Sequence, residues 1–223
     1  MVSGSSRVVW HGLMDSGCLP MAALAEVVDH LRAGGLAVLP TETGYMLAAD
    51  ATLDEAVHTV FRAKKRPLDL PVHVAVATMA MAETYAAVGR AERRIIGALC
   101  PGPVTTICPA NGSLVADLVE WQGTVGLRVP ATPVTLHVVA ALGVPVTATS
   151  LNLHGLELGD DLDAEVAGLN WSEGEVVHGV RADGATTFSL PSTLVRLGPS
   201  GEVEILRAGP VTGAQIAEVL EGA

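Results

Sequence analysis

Residues 36–66, LAVLPTETGYMLAADATLDEAVHTVFRAKKR, place an apolar strand, a polar loop and an amphipathic helix in immediate succession. Leu36-Ala37-Val38-Leu39, bounded by Gly34-Gly35 and Pro40, reads as a buried strand. Pro40-Thr41-Glu42-Thr43-Gly44-Tyr45 then sets two hydroxyls, a carboxylate and a phenol on a loop at the strand end, where open α/β sheets bind ligands. A helix follows, with Thr52 as its cap and Glu55 as the capping-box partner. Ala56, Val57, Val60, Phe61 and Ala63 form its apolar face, and Pro67 stops it after Lys64-Lys65-Arg66. Polar loop and basic helix end therefore belong to one supersecondary unit.

The rest of the chain alternates in the same way. Strands are expected at Arg7–Trp10, 71–76, 104–108, 124–129, 144–149, 176–177, 193–197 and 203–206. Helices are expected over Leu24–Leu31, 78–88, 92–99, 132–143 and 161–169, and after a Thr212 cap. Thr132-Pro133 is a cap-then-proline opening. The order is not strict βα, so the expected fold is α/β: one domain with a mixed sheet and helices packed on it. Residues 1–20 read as an N-terminal extension and 21–223 as the domain.

Charge excludes several classes. Thirteen Lys and Arg against 24 Asp and Glu give −11, which disfavours a nonspecific nucleic-acid or membrane-surface protein. No apolar run approaches the ~18 residues of a membrane span, and the N-terminus is no signal peptide. Three cysteines without ligand spacing read as reduced thiols of a cytoplasmic protein. Seven histidines are scattered without an HExxH pattern, and no metal site is expected.

Against that acidic background, clustered cations carry information: four of the 13 basic residues fall between Arg62 and Arg66. Neither GxxxxGK[ST] nor GxGxxG occurs. The polar residues at predicted strand ends are Thr41, Thr43, Lys64, Arg66, Arg128, Ser150, Asn152, Ser192 and Arg207. Hydroxyls and Asn offer neutral hydrogen bonds, while Arg and Lys neutralise phosphate oxygens. Each has a plainer reading too. A basic helix end complements the helix dipole, Arg128 in an apolar strand could pair internally, and Ser150 to Asn152 could form only a turn.

Seven pieces in order resemble the YrdC/Sua5 family of threonylcarbamoyl-AMP synthases: PTETGY at 40–45, KKRP at 64–67, PGPVT at 101–105, TVGLRVP at 124–130, SLN at 150–152, PSTLV at 191–195 and LRAG at 206–209. The resemblance covers roughly residues 21–212 and is to the single-domain form, which implies a twisted mixed sheet with packed helices around a concave nucleotide-binding cavity. It implies an enzyme that joins L-threonine, bicarbonate and ATP into threonylcarbamoyl-adenylate and pyrophosphate. That product feeds the N6-threonylcarbamoyl modification of tRNA adenosine (t6A), through tRNA-modification proteins that take up the adenylate.

Carried over by motif, Lys64, Arg66, Thr124, Ser150, Asn152 and Arg207 would face ATP, with Lys64, Arg66 and Ser150 the catalytic candidates. Thr41, Thr43, Arg128, Ser192 and His73 would hold L-threonine or a similar small amino acid, Arg128 pairing its carboxylate. Mg²⁺ would bridge ATP phosphates rather than sit in a protein cage. The family's PTETVYGL, NPLIVHV and SxNxSG patterns are altered here at Gly44, Met46, Leu70, Ala75 and His154. The changes fall on expected pocket walls, so a weaker preference for threonine over serine is expected. The alternatives are a relative making another carbamoyl- or acyl-adenylate, and a non-enzymatic RNA-binding module that the acidic charge disfavours.

Overall fold

Among the residues that the computed structural model describes (7–115, 117–155, 161–182, 184, 186–198 and 200–222), ten strands and seven helices follow one another. Strand β1 (Arg7–His11) and helix α1 (Met21–Arg32) precede a hairpin of β2 (Leu36–Thr41) and β3 (Gly44–Ala48). Helix α2 (Asp54–Lys64), β4 (His73–Ala75), α3 (Met79–Tyr85) and α4 (Arg90–Leu99) come next. Then follow β5 (Val104–Pro109), β6 (Thr124–Arg128), α5 (Pro133–Leu142) and β7 (Val146–Ser150). The chain closes with α6 (Leu162–Gly168), β8 (Val176–Val180), β9 (Thr193–Leu197), β10 (Val203–Arg207) and α7 (Gly213–Glu221).

The strands form one sheet in the order β1-β8-β2-β3-β7-β4-β6-β5-β9-β10. The pairs β1/β8, β8/β2, β4/β6 and β5/β9 are parallel and the others antiparallel, so the sheet is mixed, as the alternation of elements implies. β1 lies at the sheet edge on β8; residues 1–6 of the expected extension lie outside the described residues.

β2 shows why the sheet is buried on both faces. Its six residues are all buried, and successive side chains point to opposite sides. Leu36 and Val38 join the cluster under α2, with Ala56, Val60 and Ala63. Ala37 and Leu39 join the cluster under α1 and α5, with Val27, Leu31, Val134 and Val138. Each Leu or Val among them contributes about 1.5–3 kcal/mol when fully buried.

Three local expectations are corrected. Gly44–Ala48 is a strand, not the end of a loop. Met, Leu and Ala carry weak strand propensity, and antiparallel pairing with β2 and β7 overrides it. Thr52 does not cap α2: its hydroxyl donates to Asp50 Oδ1 at 2.6 Å, and the helix starts from Leu53 without a side-chain cap. Thr132 likewise gives α5 no side-chain cap, although Pro133 opens that helix. The Thr212 cap does form, as a capping box with Gln215.

Candidate active site

One cavity opens across the middle of the sheet. Its walls come from the β2–β3 turn, the segments just after α2, β4, the ends of β6 and β7, the residues leading into β9 and the end of β10. Three guanidinium groups, of Arg66, Arg128 and Arg207, line it together with Thr41, Thr43, His73, Ser150 and Ser192. Thr105, Tyr45 and Thr149 add further hydroxyls. Among the described residues no carboxylate lines the cavity, so those residues of a chain of net charge −11 turn a positive face to this hollow.

Each arginine is held by its own local structure. Helix α2 ends on Lys65 in the left-handed region (φ 50, ψ 38), with Lys65 N–H bonded to Arg62 O and Arg66 N–H to Phe61 O. That pair of bonds is a Schellman closure, usually made on glycine. It turns the chain so that Arg66 leaves the helix toward the cavity. There its Nε donates to Leu70 O at 2.7 Å and its Nη2 to Pro71 O at 2.8 Å.

Arg207 ends β10, and its Nε and Nη2 donate to Ser192 O at 3.1 and 2.9 Å, with a further bond from Nη2 to Ser192 Oγ at 3.0 Å. Gly209 permits this approach: a Cβ there would lie 2.4 Å from Pro191 O and Thr193 N. Ser192 also shares a hydrogen bond with the Thr105 hydroxyl at 2.8 Å.

Arg128 is the most constrained of the three, at 8% exposure. Its Nη2 donates to Glu42 Oε1 at 2.5 Å, and Glu42 Oε2 accepts from the Ala131 N–H at 2.8 Å. Both Nη atoms lie 3.3 Å from the Thr43 hydroxyl. Arg128 Nε is buried without a partner. Its anionic partner within the chain is therefore Glu42, which stands behind the cavity wall.

His73 reports the field these groups create. Its ring packs against Gly126, where a Cβ would lie 2.4 Å from His73 Cδ2. Burial, and then the charges of Arg207, Arg66 and Arg128, push its pKa down to about 3. The imidazole is therefore neutral at physiological pH.

Three of the residues singled out in the sequence stand off the cavity. Lys64, only 1% exposed, donates its ammonium to Ser150 O and Asn152 O. Burial, and then the charge of Arg66, push its pKa down to about 7. It braces the backbone that carries Ser150, whose hydroxyl in turn bonds Asn152 Oδ1. Thr124 is tied to Trp121 O at 2.9 Å. Of the altered positions, Met46 lines the cavity, Ala75 is packed in the core beside Val138 and Val146, and Leu70 is exposed. Glu42 went unassigned in the sequence. The signal for it was an Arg in an apolar strand, which demands an anion, and a Glu between two threonines on the facing loop.

The arrangement can bind an anion and orient it. Burial pushes the thiols of Cys100 and Cys108 up to about 11 and about 12, and neither is a lining residue.

The sequence profile of the Sua5/YciO/YrdC family, described as "telomere recombination", matches residues 29–209. The chain is a member of that family. It is 36% identical over 199 residues to a Mycobacterium leprae protein with the provisional name threonylcarbamoyl-AMP synthase, covering 88% of this chain and 87% of that one. It is 32% identical over 190 residues to the threonylcarbamoyl-AMP synthase of Bos taurus, covering 84% and 68%. The H234A/Y235A structure of P. abyssi Sua5 superposes with a TM-score of 0.83 at 25% identity, covering 96% of this chain and 64% of that one. The same protein complexed with L-threonine gives 0.82 at 24% identity, covering 96% and 61%. The chain thus spans just under two thirds of the P. abyssi protein.

Proposed function

We propose that this chain synthesises threonylcarbamoyl-AMP from L-threonine, bicarbonate and ATP. The observation that carries the reading is the convergence of Arg66, Arg128 and Arg207 with a set of hydroxyls on one cavity of an acidic chain, with no carboxylate among its described lining residues. Family membership and the names of the relatives point the same way.

The threonine amine and bicarbonate first give N-carboxythreonine and water. An oxygen of that carbamate attacks the α-phosphorus of ATP, the bond to the β-phosphate oxygen breaks, and pyrophosphate leaves. The step needs positioning and charge neutralisation more than covalent help. Arg66 and Arg207 take phosphate oxygens, each already aimed by backbone carbonyls. Ser150 hydrogen-bonds the nucleotide, with Lys64 and Asn152 fixing its loop, while Thr124 closes the turn from Trp121 at the start of β6.

Thr41, Thr43, Ser192 and neutral His73 surround the amino acid. The Arg128 face turned to Thr43 meets its carboxylate, while Glu42 keeps the guanidinium in plane. Among the described lining residues none offers a cation a carboxylate ligand, so Mg²⁺ would come bound to ATP and neutralise charge on its phosphates. The adenylate would then pass to tRNA-modification proteins in the cytoplasm; among the described residues no helix is long and apolar enough to cross a membrane.

The test is pyrophosphate release by the purified chain with ATP and bicarbonate across the common amino acids. Release that depends on threonine and bicarbonate is expected. Release with carbamoyl phosphate in place of both would move the assignment to another carbamoyl-adenylate.

A further inference from the structure

The histidines that are scattered in the sequence do not stay scattered in the fold. β1 pairs with β8 so that Val9 lies opposite His178, and β2 pairs on the other side with Ala37 opposite His178. His11 lies two residues beyond Val9 and therefore shares the sheet face of His178. Ala37 places that face under α1, since it packs in one cluster with Val27, Val28 and Leu31. On α1, Glu26 and His30 are one turn apart and so share a side of the helix.

The result is a compact group. His11 Nε2 and His178 Nδ1 are 2.8 Å apart across 167 residues of sequence. One ligand atom each from His11, Glu26 and His178 all fall within 4.8 Å of one another. The His30 ring lies against His178 with centroids 4.5 Å apart. Glu175 contributes negative charge near His30. None of these residues lines the cavity of the proposed reaction.

We propose that His11, Glu26 and His178 form a binding site for a divalent transition metal, Zn²⁺ being the ion whose ligand chemistry they fit best. Two imidazoles and a carboxylate are a zinc donor set, with Zn–N of about 2.0–2.1 Å and a fourth position left for water. At tetrahedral angles those bonds separate two nitrogens by about 3.3 Å, so the imidazoles need open by only about half an ångström. Glu26 is exposed, which supplies the entry path, while His11 is buried at the inner end. A bound ion would clip the edge strand β1 to β8 and α1. It acts on stability through the folded state alone, because the three ligands are far apart in the unfolded chain.

The test is Zn²⁺ titration of metal-stripped full-length protein by calorimetry, with Co²⁺ absorption and Tm read in parallel. Expected are one Zn²⁺ per chain, a four-coordinate Co²⁺ spectrum and a Tm that rises with Zn²⁺. Glu26→Gln, an exposed change on the helix surface that leaves the core intact, should weaken binding at least tenfold, and His11→Gln should do the same. His58→Asn, at an exposed position on α2, should leave binding unchanged. Absence of saturable Zn²⁺ binding by the wild type overturns the proposal. So does binding by Glu26→Gln and His11→Gln as tight as that of the wild type.

Discussion

Glu42→Gln probes the wall that carries Arg128. The carboxylate is 3% exposed and holds two donors, Arg128 Nη2 at 2.5 Å and the Ala131 N–H at 2.8 Å. Gln keeps the volume and one acceptor oxygen but removes the charge. Breaking a buried ion pair from one side costs about 3–5 kcal/mol, because the remaining charge is left uncompensated. The retained acceptor offsets part of this, so a loss of about 3 kcal/mol is expected in urea unfolding. For a chain of this size that is a fall in Tm of roughly 6–12 °C. Arg128→Met should cost a similar amount, and the double variant less than the sum of the two, with a coupling of about 2 kcal/mol. Added ATP and threonine should raise the Tm of Glu42→Gln more than that of wild type, since a ligand carboxylate would restore an anion beside Arg128. A loss under about 1 kcal/mol, or strict additivity in the cycle, would refute the claim that Glu42 is the counter-ion holding Arg128 in place.

Other outcomes follow from the same geometry. Arg66→Ala should lower pyrophosphate release about a hundredfold, the equivalent of losing one charge-assisted contact of roughly 3 kcal/mol, with little change in Tm. Lys65→Gly relieves a left-handed non-glycine residue and should raise stability by about 1 kcal/mol in urea unfolding. His73 gives acid sensitivity a defined sign. The unfolded imidazole takes a proton near 6.5 and the folded one only near 3, so the unfolded state binds more protons between these values. Stability should therefore be lost as the pH is lowered from about 6.5 toward 3, at up to about 1.4 kcal/mol per pH unit, and His73→Asn should flatten the slope in pH-dependent denaturation.

Much of this was legible in the chain, for stated reasons. Strands such as Leu36–Leu39 and Thr124–Val129 are apolar runs cut by Gly and Pro, and periodicity finds those. β3 escaped because Tyr45-Met46-Leu47-Ala48 is a strand only through its two partners. At the site, residue type pointed to Arg66, Arg128 and Arg207, since cations are scarce in an acidic chain. What sequence could not give was orientation. Lys64 shares the helix end of Arg66, yet its ammonium turns to Ser150 O and Asn152 O while Arg66 turns to the cavity. Sequence spacing also hid the meeting of His11 with His178, because a parallel edge pairing joins residues 167 apart. Glu42 needed its Arg128 partner before it could be read.

Mass spectrometry of the product formed from ATP, L-threonine and ¹³C-bicarbonate decides whether the chain makes this adenylate. Expected is threonylcarbamoyl-AMP carrying the label in its carbamoyl carbon, in step with pyrophosphate, and its loss in Arg66→Ala. An unlabelled adenylate, or threonyl-AMP made without bicarbonate, would contradict that assignment.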